Sequence, residues 1–330
     1  MGKELLNVED LTVRFRTYNG EVTAIDNLAL SLNENETLGI VGESGSGKSV
    51  TSLSIMGLLD EATSTISGKA LFKGNDLLSM PEKEKQKYRG NQLAMIFQEP
   101  MTSLNPLHRC GKQIMESMLI HQKISKEDAK KKAIELLELV GIPAAEQRFN
   151  EYPHQMSGGM RQRVMIAMAL ACDPQLLIAD EPTTALDVTI QAQILELLKD
   201  LRKKLGMGII MITHDLGVVS EVCDRVIVMY TGKVVEQGAI REILDTPKHP
   251  YTEGLIAAIP KMQEQKEPLN SIDGIVPRLD DMPKGCSFHP RCPYAMDVCK
   301  EKRPALSDLE NGRKVRCFKY SDAAEAEVKE

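Results

Sequence analysis

The sequence predicts an α/β fold with parallel strands, and three observations support this prediction. Apolar runs such as Leu176–Ala179 and Gly208–Ile212 are too short to be helices. Stretches with helical spacing lie between these runs, as expected when helices connect parallel strands. A third apolar run, Thr37–Val41, leads directly into a glycine-rich loop, and a loop of this kind between a strand and a helix is typical of the α/β class.

Length and composition indicate a globular chain with one large domain and a smaller appendage. The 330 residues can bury a sizeable core, and 42% of them are hydrophobic. The net charge of −6 argues against nucleic acid as the main partner, because phosphate backbones bind to basic surfaces. The longest apolar run, Val164–Cys172, has nine residues, whereas a membrane-spanning helix needs about 20. The N-terminal segment has acids where a signal peptide would be apolar, so we expect a cytosolic protein with reduced or metal-bound cysteines.

The remaining elements are predicted in chain order. Further strands are predicted by the apolar runs Leu11–Phe15, Thr23–Ile25, Leu28–Leu32 and Leu93–Phe97. The segment from about 107 to 160 lacks such runs and is predicted to be an inserted helical subdomain, with an imperfect capping box at Ser125 and Asp128. Residues 225–238 predict a hairpin that turns at Thr231-Gly232. Proline is frequent beyond Pro260, so we expect a main domain over residues 1–260 and a small loop-rich region over 261–330 with a frayed acidic end.

The glycine-rich loop is a candidate phosphate site. The segment Gly42-Glu-Ser-Gly-Ser-Gly-Lys-Ser49 matches G-x-x-x-x-G-K-[ST] between a predicted strand and a helix-compatible segment. Its glycines allow backbone N–H groups to surround a phosphate, and the N-terminus of the following helix faces that phosphate. Lys48 is expected to reach the β- and γ-phosphates of ATP, and the Ser49 hydroxyl to ligate Mg²⁺. The predicted nucleotide-binding residues of this segment are Gly42, Ser44, Gly45, Ser46, Gly47, Lys48, Ser49 and Val50.

The run LLIADE at 176–181 supplies two further candidate residues. Four apolar residues end in Asp180, which can hold Mg²⁺ through water, and Glu181 follows at once. A carboxylate at that position can orient or deprotonate the water that attacks the γ-phosphate. Apolar runs that end in acids are common, so this interpretation depends on the phosphate site earlier in the chain.

A second glycine pair, in Ser157-Gly158-Gly159, precedes a long helical pattern and is another candidate anion site. One nucleotide cannot easily use two such sites in one subunit, whereas two subunits packed head-to-tail could share them. With these motifs the sequence resembles the ABC ATPase family over residues 5 to about 245. The resemblance implies a P-loop NTPase core of the ABC type, with antiparallel β and helical subdomains. It also implies that Ser157–Gly159 contact the γ-phosphate of ATP bound by the opposite subunit, although Met160 stands where the family most often has Gln.

The resemblance implies roles for other residues. Gln98 matches the glutamine that contacts Mg²⁺ and senses the membrane subunits, and His214 matches the switch histidine that holds the γ-phosphate. Phe15 best fits the aromatic residue that stacks on adenine, and Tyr18 is its rival. Ala185-Leu186-Asp187 matches the segment that communicates across the dimer.

Finer features favour a transporter subunit over a soluble ATPase that acts on DNA or ribosomes. No heptad run separates the two halves of the site, and the chain has one ATPase unit. The segments at 98–106 and 249–260 and the tail from Val276 resemble the ATPases of oligopeptide and dipeptide importers; nickel importers of the same subfamily are similar. The resemblance implies a peripheral subunit on the cytosolic face of the membrane, with residues 99–107 and the helical subdomain contacting the permeases. Its expected partners are a second ATPase subunit (a paralogue or a copy), two permeases and, indirectly, an extracytoplasmic peptide-binding protein.

Four of the seven cysteines lie in the C-terminal region: Cys286, Cys292, Cys299 and Cys317. They are separated by five, six and seventeen residues, whereas structural zinc sites usually place about two to four residues between two thiolates. This wider spacing suits a [4Fe–4S] cluster, which some members of the resembled importer group carry in this region. The sequence therefore predicts an iron–sulfur cluster, with zinc, disulfides or unligated thiols as alternatives. The remaining cysteines are expected to be buried.

Overall fold

The computed structural model describes residues 2–18, 20–98, 103–184, 186–259, 272–321 and 326–327. The chain divides into two compact units. The first unit comprises Met1–Leu5, Leu32–Glu36 and Ser79–Ile212. The second unit comprises Leu6–Ser31, Thr37–Leu78 and Thr213–Glu330, so the glycine-rich loop and the C-terminal region belong to the same unit.

The regular elements are numbered along the chain. The strands are β1 (Glu4–Thr17), β2 (Gly20–Asn33), β3 (Thr37–Val41), β4 (Ser64–Phe72), β5 (Asn75–Asp76), β6 (Leu93–Ile96), β7 (Leu176–Asp180), β8 (Gly208–Thr213), β9 (Arg225–Tyr230), β10 (Lys233–Ala239), β11 (Ser307–Asp308) and β12 (Lys314–Val315). The helices are α1 (Lys48–Ile55), α2 (Glu82–Tyr88), α3 (Cys110–His121), α4 (Lys126–Leu139), α5 (Ala145–Phe149), α6 (Gly158–Ala169), α7 (Val188–Leu205), α8 (Leu216–Val222), α9 (Ile240–Asp245), α10 (Pro250–Ala257) and α11 (Asp297–Glu301). Short 3-10 helices lie at Pro153–Gln155, His289–Arg291 and Glu310–Gly312.

The first unit combines parallel strands with a group of helices. In it β7 pairs in parallel with β6 and β8, and all five residues of β7 are buried. The α4 helix begins as predicted, because the Asp128 N–H donates to the Ser125 hydroxyl at 3.1 Å. A Cβ atom on Gly111 of α3 would lie 2.1 Å from the Phe149 ring of α5, so these two helices approach each other closely.

The second unit contains an antiparallel sheet in the order β2-β1-β4-β5. Its β1 strand has a bulge at Asp10, whose φ is 50°, between the paired positions Glu9 and Thr12. Gly68 of β4 faces this bulge, and a Cβ atom there would lie 2.6 Å from two backbone oxygens of β1. Glycine is therefore required where the two backbones approach each other.

A second group of strands in this unit has the order β11-β12-β10-β9-β3. The β3 strand pairs in parallel with β9, and β9 and β10 form the predicted hairpin. Its turn residues Thr231 and Gly232 have φ of 43° and 79°, as a two-residue turn with positive φ at both positions requires. Residues from the C-terminal region complete this group, because β12 pairs with β10.

The strands predicted at 37–41, 93–97, 176–179 and 208–212 are confirmed to within about one residue of their bounds. The runs Thr23–Ile25 and Leu28–Leu32 were predicted separately, but they belong to one strand, β2. Asn27 joins them in a left-handed conformation with φ of 51°, and its N–H donates to the Thr12 hydroxyl at 3.1 Å. Among the described residues, no helix combines the length and the apolar character that crossing a bilayer requires.

Candidate functional site

The phosphate loop (residues 42–49) lies in the second unit, between β3 and α1. Gly42, Gly45 and Gly47 have φ of 155°, 79° and 100°, a region that glycine adopts at low cost. A Cβ atom on Gly42 would lie 2.2 Å from the Met229 oxygen, and one on Gly47 would lie 2.5 Å from Ile25. Both the conformation and the close packing of this loop therefore require glycine.

The loop is held by its own lysine and by the β9–β10 turn. The Lys48 amine is buried and donates to the backbone oxygens of Gly42 at 2.7 Å and Glu43 at 3.0 Å. The N–H of Gly232 in the turn donates to the Ser46 oxygen at 3.0 Å. These contacts keep the loop curved around the start of α1.

The donor groups of the loop fit the phosphates of ATP. The Ser46 hydroxyl is buried and has no hydrogen-bond partner among the residues described. A Cβ atom on Gly45 would meet no atom within 4 Å, so the loop has open space on that side. An ammonium group, a buried hydroxyl and a helix N-terminus are donors that phosphate oxygens accept from. Ser49 lies next to Lys48 on α1, and its hydroxyl suits Mg²⁺ because hard cations prefer oxygen ligands.

In the first unit, the end of β7 carries the two acids predicted to act with the nucleotide. Asp180 is buried as the last residue of the strand. Glu181 follows it in a left-handed conformation with φ of 47°, and its N–H donates to the Ile212 oxygen at 2.9 Å. Strained backbone in a residue other than glycine is often found at functional sites.

The structure brings Gln98 to Glu181. The Gln98 amide donates to Glu181 Oε2 at 3.0 Å, and the Thr184 hydroxyl donates to the same oxygen at 2.8 Å. Gln98 is exposed and Glu181 is half-buried, so this carboxylate is both oriented by two donors and accessible to water. An oriented, hydrated carboxylate is suited to acting on a water molecule.

The signature loop (Ser157–Gly159) also lies in the first unit, at the N-terminus of α6. The Ser157 hydroxyl accepts from the Met160 N–H at 3.3 Å and caps the helix. Ser157 and Gly158 are exposed, and a Cβ atom on Gly158 would meet no atom within 4 Å. A Cβ atom on Gly159 would lie 3.1 Å from Ile190 of α7. The loop therefore presents an open surface on one side and packs closely on the other.

The remaining residues whose roles the family resemblance implies differ in their exposure and contacts. His214 is exposed just after β8, and the Asp215 side chain caps α8. Phe15 is half-buried in β1, whereas its rival Tyr18 is fully exposed. Asp187 caps α7 by accepting from the Ile190 N–H at 3.0 Å; its neighbour Ala185 in the same predicted segment lies outside the described residues. Residues 99–102 of the predicted permease contact also lie outside them.

The four C-terminal cysteines line one small cavity in the second unit, the cysteine cavity. Its lining includes Cys286, Cys292, Cys299 and Cys317. As placed, no group of three or more His, Cys, Asp or Glu side chains in the part of the chain that the structure describes could hold a metal ion. The cavity therefore gathers the four predicted ligands without showing a metal-binding geometry.

The environment of three of these thiols, those of Cys286, Cys292 and Cys317, favours the neutral form. Burial raises the pKa of Cys286 to about 11, and the neighbouring cysteines add to the rise. Burial also raises the pKa of Cys292 and of Cys317. A cation bound among the thiols would offset this cost, because metals bind thiolates. Four sulfur donors thus fit a soft metal centre in their chemistry. The other cysteines, Cys110, Cys172 and Cys223, are buried as predicted.

Two residues that hold the phosphate loop were missed by the sequence analysis. The N–H of Glu43 donates to the Tyr251 hydroxyl at 2.7 Å, and the Glu43 carboxylate pairs with Arg291. Both residues lie in segments that resemble importer ATPases, but sequence spacing gave no sign of their contact with the loop. The one signal in the sequence was the acid Glu43 inside the phosphate loop, which suggested that a cationic or hydrogen-bonding partner lies nearby.

A phosphate loop between β3 and α1, acids at the end of β7 and a glycine-rich helix start at α6 define an ATPase of the ATP-binding cassette class. Residues 25–184 match the family model for the ABC transporter, and residues 235–299 match the model for the oligopeptide/dipeptide transporter C-terminal region. The fold is similar to the ATP-binding cassette MJ0796 in its dimeric post-hydrolysis state bound to ADP and Pi. That chain is 31% identical with a TM-score of 0.65, over 72% of this chain and 99% of that one.

Relatives cover nearly the whole chain. The oligopeptide transport ATP-binding protein AppD of Bacillus subtilis (strain 168) is 53% identical over 96% of this chain and 97% of its own length. The dipeptide transport ATP-binding protein DppD of Escherichia coli (strain K12) is 52% identical over 97% of this chain and 98% of its own length. The chain therefore belongs to the ABC transporter family of oligopeptide and dipeptide transport ATP-binding proteins, and it is an ABC-type ATPase that uses ATP and Mg²⁺.

Proposed function

We propose that this ATPase drives the import of peptides by a membrane transporter. The main support for this proposal is the match to peptide-transport ATP-binding proteins over nearly all of the chain, including the C-terminal region at 235–299. The chain would bind two permeases at the cytosolic face of the membrane, and an extracytoplasmic binding protein would deliver the peptide. In this proposal residues 1–260 are the ATPase domain, and residues 261–330 are a C-terminal region typical of peptide importers.

The proposed roles follow from the family resemblance, and the contacts of some of the residues support them. The phosphate loop and the adjoining Val50 bind the phosphates of ATP, and Lys48 neutralises their charge. Ser49, Asp180 and Gln98 serve as Mg²⁺ ligands, directly or through water. Glu181 orients the attacking water and accepts its proton, and the donors from Gln98 and Thr184 support this role by fixing the carboxylate. His214 holds the γ-phosphate, and Phe15 stacks on adenine.

We propose that the signature loop acts on ATP bound by a second ATPase subunit. The exposed face of Ser157 and Gly158 at the start of α6 supports this role, because backbone N–H groups at a helix N-terminus attract phosphate oxygens. ATP would then close the pair of subunits and hydrolysis would reopen it, which would move the permeases between two states. The second subunit is a paralogue or another copy of this chain.

The test is to reconstitute the chain with the permeases and the second ATPase subunit. The full-length chain alone should hydrolyse ATP slowly, and the assembled complex should hydrolyse it much faster with the binding protein and peptide. Full activity of the chain alone, shown to be monomeric at high dilution, would contradict the shared site. Stimulation by nickel rather than by peptide would contradict the peptide substrate and favour the nickel importers of the same subfamily.

We also propose that the four C-terminal cysteines hold a [4Fe–4S] cluster. Their convergence on one cavity and the four-sulfur donor set support this proposal. When bound, the cluster would supply a rigid cross-link between Cys286, Cys292, Cys299 and Cys317. The segments that carry them have little regular structure, so such a link would contribute folding energy there.

Metal analysis of protein purified without oxygen tests this assignment. The expected result is a brown protein with absorbance near 400 nm and about four irons and four sulfides per chain. A colourless protein with one zinc per chain would replace the cluster by zinc. A protein without metal after anaerobic purification would reject the metal centre altogether.

A further inference from the structure

An ion pair joins the cysteine-rich region to the phosphate loop. The Arg291 guanidinium bonds both oxygens of the Glu43 carboxylate, at 2.7 Å to Oε2 and 3.0 Å to Oε1. The Arg291 side chain is 3% exposed and that of Glu43 is 30% exposed. A two-point contact between a planar guanidinium and a carboxylate fixes direction as well as distance. This pair, called the clamp below, therefore differs from an ordinary surface salt bridge.

The remaining donors of Arg291 are also engaged. Its Nε donates to the Asp273 oxygen at 3.0 Å, and Nη2 donates to the Ile272 oxygen at 3.1 Å. Its Nη1 also lies 3.4 Å from the Tyr230 hydroxyl, and the rings of Tyr230 and Phe288 flank the guanidinium at 5.9 Å. Because a lysine has no planar array of donors, it could not satisfy these acceptors together.

Glu43 connects the clamp to Lys48, the lysine proposed to bind the phosphates. Its backbone oxygen accepts from the Lys48 amine at 3.0 Å and from the Ser46 N–H at 3.2 Å. Its N–H donates to the Tyr251 hydroxyl at 2.7 Å. Residues outside the loop therefore hold Glu43 through its side chain and its N–H. The carbonyl of the same residue contacts Lys48, which is proposed to bind phosphate.

The cysteines bracket the short segment that carries Arg291. Cys286 and Cys292 stand on either side of the 3-10 helix His289–Arg291. The His289 N–H donates to the Cys286 oxygen at 3.1 Å, and the Cys292 N–H donates to the His289 oxygen at 3.3 Å. The Cys286 N–H in turn donates to the Cys299 oxygen at 2.8 Å. The backbone of the cysteines is therefore hydrogen-bonded to the short segment that carries the guanidinium.

We propose that Arg291 is a positioning residue for nucleotide binding. Through Glu43 it makes the affinity for ATP depend on whether the four cysteines are intact and hold their metal centre. The positioning role of Arg291 rests on the contacts of the clamp alone. The dependence of ATP affinity on the cysteines also rests on the proposed metal centre. The cysteine-rich region would then influence the affinity of the ATPase for ATP, in addition to cross-linking its own segments.

The first test measures the binding of a fluorescent ATP analogue to the full-length chain. Arg291→Ala and Glu43→Gln should each raise Kd and KM by roughly tenfold, because each breaks a charge-assisted pair that shapes the loop. The kcat at saturating ATP should change less than about twofold, since neither residue touches the reacting atoms. Arg291→Lys should recover only part of the affinity. Arg278→Ala is the matched control, because Arg278 is exposed and pairs with Asp280, and the Kd of this variant for ATP should stay at the wild-type value.

The double variant shows whether the two single substitutions weaken ATP binding by breaking the same ion pair or by two independent effects on the fold. Once one partner is lost the other has no pair to break, so Arg291→Ala with Glu43→Gln should bind ATP about as well as either single variant. Additive losses would overturn the clamp. A folded Arg291→Ala protein with wild-type Kd and KM would overturn it as well. Glu43→Gln keeps the test decisive if Arg291→Ala fails to fold, because it removes the clamp without altering the cysteine-rich region.

The second test examines the coupling to the cysteines. Cys292→Ser should raise the Kd of the wild-type chain for ATP and should have little further effect in the Arg291→Ala background. An equal effect in both backgrounds would show that the cysteines act by another route and would overturn the coupling. Iron and sulfide are measured on the same samples. If metal is absent while the effects of Arg291→Ala and Glu43→Gln persist, the metal centre fails and the positioning role stands.

Discussion

The candidate functional residues of the two units are held in different ways. In the first unit, local contacts fix two of the relevant turns: Ser157 caps α6 by accepting from the Met160 N–H, and Asp187 caps α7 by accepting from the Ile190 N–H, in each case three residues along the chain. In the second unit, the phosphate loop is held by residues far along the chain. Glu43 contacts Tyr251 at a separation of 208 residues and Arg291 at a separation of 248.

This difference predicts how substitutions will act. A turn fixed by local capping is positioned by its own sequence, so substitutions elsewhere in the chain should leave it intact. A loop fixed by distant contacts depends on the packing of those contacts, so changes in the C-terminal region should reach it. In the first unit we therefore expect effects on the hydrolysis rate or on local helix stability. In the second unit we expect effects on ATP affinity and on the stability of the unit.

The largest expected effect is on the rate, from Glu181→Gln. The amide keeps the shape of the side chain but removes the charge that accepts a proton from water. The kcat of the assembled transporter should therefore fall by about 10²- to 10⁴-fold. ATP binding should persist, because Glu181 is proposed to act on the attacking water rather than to bind the phosphates. Hydrolysis by the purified variant is measured together with its Kd for ATP, and turnover at the wild-type rate would reject the role of Glu181.

A large loss of stability is expected from Arg313→Ala in the C-terminal region. Arg313 pairs at 2.5 Å with Glu236, whose side chain is fully buried, and it also donates to the Thr246 oxygen. Removing the guanidinium leaves a buried carboxylate without its cation, so the free energy of unfolding should fall by about 3 kcal/mol. Urea denaturation measures this change. Lys314→Ala, which breaks only an exposed pair with Asp308, is the control and should change stability by less than about 1 kcal/mol.

The same contrast explains how much of the fold could be predicted from sequence. Apolar runs predicted β3, β7 and β8, because a strand buried on both faces reads as a continuous apolar segment. The β4 strand was not predicted. Its sequence STISGKALF has little apolar alternation, and its Gly68 is set by the bulge of β1, a contact across the sheet that no local pattern records.

The candidate site also divides into features set by local sequence and features set by distant contacts, but this division does not follow the two units. The glycines and Lys48 of the phosphate loop could be predicted because a curved loop needs positive φ at fixed positions. The contact between Gln98 and Glu181 spans 83 residues, and it became an expectation only through the family resemblance. Arg291 had no such support, because nothing in its spacing links it to Glu43.

Within the phosphate loop of the second unit, Lys48→Ala is expected to weaken ATP binding. The variant loses a charge-assisted contact to phosphate, so the Kd for ATP should rise by roughly 10- to 100-fold. Equilibrium binding of a fluorescent ATP analogue measures the change. Lys69→Ala, which removes an exposed lysine from β4 of the same unit, should bind ATP as the wild type does. An unchanged Kd for Lys48→Ala would argue against the loop as the phosphate site.

The smallest effect is expected from Ser125→Ala, which tests whether local capping acts alone in the first unit. The Ser125 hydroxyl accepts from the Asp128 N–H and donates to the Asp128 carboxylate at 2.6 Å. Its loss leaves one N–H of α4 without its cap and should lower the free energy of unfolding by about 1 kcal/mol. ATP affinity should not change, because none of these contacts involves the phosphate loop. Ser125→Asp provides the matched control, since an aspartate can cap the same N–H and should restore most of the stability. A change in ATP affinity in Ser125→Ala would show that the first unit transmits local changes further than its capping contacts indicate.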